Sequence, residues 1–467
     1  MADIASNKDG STVVQTVDIE TKIHNADYDL SKYDNIMMLG AVIVRDYEKC
    51  IGDYIEVVIR IPLGIYLDKV YPYLHNTEVS LIRNERSLTK GKPSYRVERY
   101  KAVFLKDRNA NLPTHLAAGQ EDANQAGYVP LVLQLIDRSV EVLRVKTTYG
   151  CFDKASITKK ATANYSIEEF LSSVLSQEIN SILIDGKPNM DFVDIEKPDN
   201  TDKLSSLVLP SGTRVIEIPT IVQEDSTGVY NSGIGTYIQP YKGKKGIYVY
   251  SLYNPTKYND SVEKIVFLVP LTGALSLGNY TYSYKDNLLR VITDPNNNIV
   301  NFKEAAEMAN GVGIRNTDAN AMMKKPVEMT DKGPKAVRHQ LNTEVVAKER
   351  MDGLNYAPVR KGDQVSSNIL RKMSEVSKSM GSVMRLVWHS ADYELIYPGA
   401  PCKIVTVGPD GKAASLFGVI QKVDASINSS FQTGIYAQMT KPTYDITCSI
   451  DVFVLKDSLN SLANTPP

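Results

Sequence analysis

Short runs of β-branched residues recur near both ends of this 467-residue chain, and they limit it to folds built on sheets. Near the start, Gly40-Ala41-Val42-Ile43-Val44 and Tyr54 to Ile61 read as an antiparallel pair, with Gly52-Asp53 between them and Pro62 and Gly64 closing the second run. Val79 to Arg83, Tyr95 to Leu105, Val129 to Ile136 and Val140 to Thr147 follow. About six strands at this spacing suggest a small barrel or sandwich. Near the other end, Val383 to Trp388, Tyr393 to Ile396, Cys402 to Val407, Ser415 to Val423 and Tyr444 to Leu455 predict a second β unit. The expected fold class is mainly β with α (α+β).

The clearest helix lies between these units. Ser166 precedes Ile167-Glu168-Glu169, so Ser166 caps the helix while Glu169 reaches back to it, and Ile167, Phe170, Leu171, Val174, Leu175 and Ile179 form one apolar stripe that packs on a sheet. Arg214 to Val222, Ile247 to Leu252, Lys264 to Val269 and Leu288 to Thr293 look extended. Residues 301 to 365 hold only Phe302 and Tyr356 as aromatics, too little to build a core, and read as a connector. A second helix is expected from a Ser367 cap through Ile369, Leu370, Met373, Val376 and Met380, ending on a left-handed Gly381. Residues 1 to 34 are polar and predict an extended or disordered arm.

Tyrosine is over-used. The chain has 27 tyrosines against 9 phenylalanines and a single tryptophan, Trp388, and ten of the tyrosines fall between Gly228 and Tyr284, where a proportional share is about three. A ring with a water-tolerant hydroxyl suits surfaces that become buried against partners, which makes Tyr230, Tyr237, Tyr241, Tyr248, Tyr250 and Tyr253 candidate interface residues. The alternative is a β-rich insert whose solvated face carries tyrosine.

Chemistry of other kinds finds little support. Lys and Arg total 53 against 54 Asp and Glu, a net charge of -1, which argues against binding nucleic acid through overall charge. Cys50, Cys151, Cys402 and Cys448 lie far apart, so neither a zinc site nor a disulfide framework is signalled, and they read as buried thiols in a reducing compartment. No stretch approaches the roughly 20 apolar residues of a membrane span, and none resembles a secretion signal. The five histidines lack metal-ligand spacing, and the phosphate-loop, zinc-protease and nucleophile-elbow motifs are missing, so no cofactor, metal or catalytic residue is expected. Glu168 and Glu169 serve the helix start, and the Lys242 to Lys245 cluster reads as a solvated loop, with contact to phosphate or an acidic partner as the alternative.

Tyr397-Pro398-Gly399-Ala400-Pro401-Cys402 reads as a Pro-Gly turn feeding a strand: Pro398 presets the first turn position and Gly399 supplies the positive φ of the next. Leu416-Phe417-Gly418-Val419-Ile420 follows as a Gly-initiated strand. With these words at Tyr397, Pro398, Gly399 and Gly418, and with its order of β unit, helix, Tyr-rich insert, connector, helix and β unit, the chain resembles the baseplate hub family of contractile phage tails and related injection machines. The segment from Thr213 to Tyr253 is similar to the inserted region of such hubs, while the long connector and the N-terminal arm depart from the pattern.

The resemblance implies two similar small β-barrel tube domains, at 35–150 and 366–458, flanking an insert at 151–300 and the connector at 301–365, with an arm at 1–34 and a tail at 459–467. It further implies a structural virion protein: a homotrimer whose pseudo-sixfold ring joins the hexameric tail tube protein to the trimeric central spike protein, beside baseplate wedge proteins. It would be assembled in the host cytoplasm and would line a channel through which DNA passes without sequence-specific binding. Other readings are a tube or wedge protein of the same particle, or a particle-borne cell-wall hydrolase.

Overall fold

The computed structural model describes residues 36–105, 127–294 and 381–455 apart from gaps at 88–93, 159–163, 185, 225–227, 243, 271–281, 408–412 and 431–442, together with isolated segments between 5 and 33 and between 298 and 346, and residue 378. The helix expected from Ser367 and most of the connector lie outside the described residues.

The first module comprises β1 (Thr12–Ile23), β2 (Met37–Asp46), β3 (Tyr54–Pro62), β4 (Thr77–Ser87), β5 (Ser94–Phe104) and β6 (Tyr128–Asp137). Every pairing is antiparallel, in the order β2-β3-β6-β5-β4-β1. Alternation decides which face turns inward: Ile55, Val57, Ile59 and Ile61 on β3 and Val129, Leu131, Leu133 and Leu135 on β6 are all buried. Each such side chain contributes roughly 1.5–3 kcal/mol by leaving water. The polar arm enters as β1, paired to β4 from Val13 opposite Ser87 to Ile23 opposite Thr77, with the short segments Ala5–Ser6 and Ala26–Tyr28 paired along its other side.

The middle of the chain carries α1 (Arg138–Val145), β7 (Thr147–Asp153), α2 (Ile167–Asn180), β8 (Phe192–Ile195), β9 (Ser206–Arg214), α3 (Ile218–Glu224), β10 (Ile234–Tyr241) and β11 (Lys244–Ser251). Two segments differ from the extended structure expected of them. Val140 to Val145 is helical because the Asp137 side chain accepts from the Ser139 and Val140 N–H groups, and Val140 and Leu143 then share the buried face. Val215 onward turns through a short 3₁₀ segment into α3, which buries Ile218 and Val222. Cys151, expected to be buried, is exposed on β7, which among the described residues pairs only with β9.

The α2 helix has the expected capping box, with the Glu169 N–H donating to Ser166 Oγ at 3.1 Å and the Ser166 N–H to Glu169 Oε2 at 2.6 Å. All six residues of its apolar stripe are buried. Backbone donation from Ser166 is the main reason the Glu169 carboxyl sits below its ordinary value. Ser166→Ala is expected to lower stability by about 1 kcal/mol, with Ser166→Asp largely restoring it, as read from urea midpoints.

The second module begins inside the span expected to be insert. It comprises β12 (Lys264–Leu268), β13 (Tyr282–Lys285), β14 (Leu288–Ile292), β15 (Asn298–Asn301), β16 (Gly381–His389), β17 (Pro401–Val407), β18 (Ala413–Ser430) and β19 (Thr443–Leu455). The antiparallel order is β15-β16-β19-β18-β17, continued by parallel pairing of β17 with β12 and of β12 with β14, and by β13 on β14. Tyr393 to Leu395, expected extended, forms a 3₁₀ turn between β16 and β17.

Two glycines do other work than the sequence suggested. Gly381 opens β16 rather than ending a helix left-handed, and a Cβ there would lie 2.2 Å from the Phe453 ring. Gly418 lies inside β18, not at its start, where a Cβ would meet Val452 Cγ1 at 2.4 Å and the Phe453 carbonyl oxygen at 2.7 Å. Both are places where β19 approaches closely.

The two modules repeat one topology. Listed from one edge to the other, β2-β3-β6-β5-β4 matches β15-β16-β19-β18-β17, strand for strand and in chain order. A helical or turn segment follows the second strand in both, at 63–76 and at 390–400. The pairing does not close either module into its own barrel among the described residues. Instead β18 pairs antiparallel with β2, from Lys422 opposite Asp46 to Asn428 opposite Gly40, and the modules share one 16-stranded sheet. A bulge between Ile420 and Lys422 makes this possible: residues 413–419 give their outer edge to β17, and 422–428 give theirs to β2.

Candidate functional site

The insert sheet, in the order β8-β11-β10, has two unlike faces. Ile238, Ile247 and Val249 belong to the core under α2, whereas Tyr237, Tyr248 and Tyr250 point the other way into the core shared with the modules. Alternation on β11 therefore sorts aliphatic from aromatic residues.

Most of the six candidate interface tyrosines contact other parts of the same chain. Tyr230, Tyr237, Tyr248, Tyr250 and Tyr253 are each at most 6% exposed, and Tyr241 is half-buried. Tyr230 lies in the insert core with its hydroxyl donating to the Glu196 carbonyl, and Tyr253 stacks at a tilt on Phe453 with ring centroids 5.0 Å apart. The Tyr237 hydroxyl donates to Asp53 Oδ1 at 2.9 Å, and that of Tyr250 to the Tyr47 carbonyl at 2.6 Å.

These last two belong to a buried polar cluster where the first module, the insert and the second module meet. Arg45, 2% exposed, donates from Nε and Nη2 to Asp53 Oδ2, both at 3.1 Å, and from Nη1 to the Tyr393 carbonyl at 3.1 Å, with its guanidinium 4.8 Å from the Tyr393 ring centre. Tyr47 Oη donates to Gln239 Oε1 at 3.1 Å, and Gln239 Nε2 donates to the Ile396 carbonyl at 2.8 Å. Edge-on packing of Tyr47 against Tyr237 fills the centre. Burial, then the negative charge of Asp53, pushes the Tyr237 phenol well up, so it remains a neutral donor.

The Pro-Gly turn is present. Gly399 has φ +64°, and the Ala400 N–H donates to the Tyr397 carbonyl at 3.2 Å. The Tyr250 ring comes within 2.3 Å of where a Gly399 Cβ would stand, so both conformation and space require glycine. Tyr397, Pro398 and Gly399 line an open cavity of about 650 Å³ together with residues of β8 and β11, Tyr248 and Tyr250 among them. Tyr241 also lines it, its ring 5.5 Å from that of Tyr397, while its hydroxyl donates to Glu263. Of the residues singled out in the sequence, Tyr241, Tyr248, Tyr250, Tyr397, Pro398 and Gly399 are brought together here, and Tyr230, Tyr237, Tyr253 and Gly418 are not.

The carboxylates of this cavity, Asp194, Glu196 and Asp199 in one segment and Asp260 and Glu263 in another, escaped the sequence reading because neither group has motif spacing. Glu196 accepts from Ser251 Oγ at 2.6 Å and pairs with Lys257 at 2.7 Å, and Glu263 pairs with Lys242 at 2.5 Å. Burial lowers the Lys257 ammonium, and the Glu196 charge opposes that effect. Among the described residues no group of His, Cys, Asp and Glu is arranged to hold a metal ion, and no helix is long and apolar enough to cross a membrane.

No family model and no curated protein matches the sequence. Among solved structures, the chain is similar to the 43 kDa tail protein of prophage MuSo2 from Shewanella oneidensis, at 8% identity and a TM-score of 0.46, covering 94% of this chain and 98% of that one. It is also similar to a lidless PdpA–VgrG complex, at 8% identity and a TM-score of 0.36, covering 94% of this chain and 65% of the other. A half-lidded Francisella PdpA–VgrG complex matches at 7% identity and a TM-score of 0.37, over 94% of this chain and 58% of that one. The neighbours are a prophage tail protein and VgrG complexes. Their TM-scores all lie below 0.5, too low for a shared fold to follow from them.

Proposed function

We propose that this chain is a structural, non-enzymatic component of a contractile tail or related injection particle, and that as a homotrimer it forms the hub of the baseplate. The observation that carries this reading is the repeated strand order of the two modules together with the β18–β2 junction that sets them side by side. Within the five repeated strands, the junction pairs the first in chain order of one module, β2, with the fourth of the other, β18. The strand equivalent to β2 in the second module is β15, which among the described residues pairs only with β16. Repeating the junction between chains places β15 of one copy beside the first module of the next, a head-to-tail contact that generates a ring when its rotation closes. Three chains give six modules, closure covers sheet edges that otherwise invite aggregation, and the ring suits a sixfold tube above and a threefold spike below.

In this role the partners are the tail tube protein, the central spike protein and wedge proteins of a virion baseplate, and DNA passes through the bore. The near-zero net charge supports a channel wall that is neutral to acidic. A continuous Lys/Arg-lined bore in the assembled particle would contradict that expectation. Light scattering on the purified protein is expected to give the mass of three chains, alone or once the spike protein is added. A monomer under both conditions would overturn the trimeric reading, and peptidoglycan hydrolysis abolished by a single substitution would overturn the non-enzymatic one.

A further inference from the structure

The two modules carry the same segment after their second strand, covered in one and open in the other. In the second module, residues 390–400 lie under the insert: Leu395 and Ile396 are buried, Gln239 Nε2 donates to the Ile396 carbonyl at 2.8 Å, and the Tyr250 ring packs on Gly399. In the first module the equivalent segment, Leu63 to Asn76, is a run of short helical turns with Val70 buried beneath it. Its outer side stands open. Leu67 and Tyr71, one turn apart, are 52% and 58% exposed, and Pro72 and Tyr73 are exposed beside them. An apolar group of this kind, at a place that its counterpart keeps buried, marks a contact surface.

What covers it follows from where the insert starts. The insert leaves the first module at the end of β6, with α1 beginning directly after Asp137, and reaches across the β18–β2 junction onto residues 390–400. The counterpart of β6 in the second module is β19, which ends at Leu455. With the same relation repeated at the junction between copies, the chain that leaves β19, residues 456–467, arrives over segment 63–76 of the next copy. The distance allows it. Lys245 pairs with Asp137 and Tyr250 reaches Gly399, so the steps from 245 to 250 along β11, at about 3.3 Å each, set the span at roughly 17 Å. Residues 456–467 reach up to about 40 Å when extended. Among them Leu459, Leu462 and Ala463 have the spacing that shares one face of a helical turn, apolar like the group opposite.

We propose that residues 456–467 of one copy dock on Leu67 and Tyr71 of the next, as a clasp between chains. This clasp, which rests on the trimeric reading, leaves every junction of the ring covered: the one within a chain by the insert, and the one between chains by the C-terminal segment.

The test uses the full chain, in the condition that gives the mass of three chains by light scattering, with a benzophenone side chain in place of Tyr71 and co-assembled unlabelled and ¹⁵N-labelled copies. Ultraviolet light is expected to join position 71 to residues 456–467 of a different copy, read by mass spectrometry as mixed-isotope peptides. Removing 456–467 is expected to abolish that product. Leu67→Ser with Tyr71→Ser, both on the surface, is expected to leave the circular dichroism unchanged and to raise the concentration at which trimers dissociate by roughly tenfold or more. Removing 456–467 is expected to raise it equally, and the two changes together no further, since both delete one contact. A cross-link to residues 106–126 of the same chain, to any other segment or to nothing would overturn the clasp while the ring stands. So would losses that simply add. A protein that stays monomeric overturns ring and clasp together.

Discussion

Arg45→Ala is expected to destabilise the chain by about 3–5 kcal/mol, because it strips the principal partner from a buried carboxylate. Among the described residues Asp53 would keep the Tyr237 hydroxyl, and the Tyr393 carbonyl would lose one of its two donors and keep the Ile396 N–H. The effect is expected to spread. Arg45 and Asp53 belong to the first module, Tyr237 and Gln239 to the insert, and Tyr393 and Ile396 to the second module, so one substitution loosens all three. The lone tryptophan, Trp388, reports from the second module. In urea, its fluorescence transition should move down together with the far-UV circular dichroism. A Trp388 transition left in place, while the circular dichroism shifts, would mean that the modules unfold independently. Replacing the cluster as a unit with Arg45→Met, Asp53→Leu and Tyr237→Phe is expected to recover much of the loss, since apolar groups of similar volume leave no unpaired charge.

Trp388→Ala is expected to cost about 3–5 kcal/mol by the same readout of circular dichroism, as truncating a large buried aromatic leaves a cavity. Trp388 is fully buried and meets Tyr282 edge-on, with ring centroids 5.2 Å apart. Tyr282 lies on β13, within the span that the sequence assigned to the insert. A double-mutant cycle with Tyr282→Leu should return a coupling of roughly 0.5–1.5 kcal/mol. Coupling near zero would argue that β12 to β14 do not form part of the second module's core.

What the sequence revealed and what it concealed follow from the range of the interactions. The strands of both modules were legible because alternation is local, as in Ile55, Val57, Ile59 and Ile61. The α2 helix was legible to its cap because Ser166 and Glu169 are three residues apart. Val140 to Val145 misled because its β-branched run mimics a strand, and the deciding signal was the Asp137 cap just ahead of it. Gly399 could be read from the Pro-Gly pair, whereas Gly381 and Gly418 could not, since their reason is β19 passing close by. The tyrosine excess left open what the rings would meet, since neighbouring sequence says nothing of whether the surface opposite belongs to another molecule or to Tyr47 and Asp53, which Tyr250 and Tyr237 contact here. Least legible of all was the β18–β2 junction, which joins residues from nearly opposite ends of the chain and depends on a one-residue bulge.

Electron micrographs of the isolated assembly, averaged without imposed symmetry, put the most direct question to the proposed hub of two repeated modules. The expected image is a ring of six similar lobes around an open bore, with threefold symmetry once the inserts are resolved. Particles with no central opening, or rings whose lobes do not alternate between two module types, would contradict it.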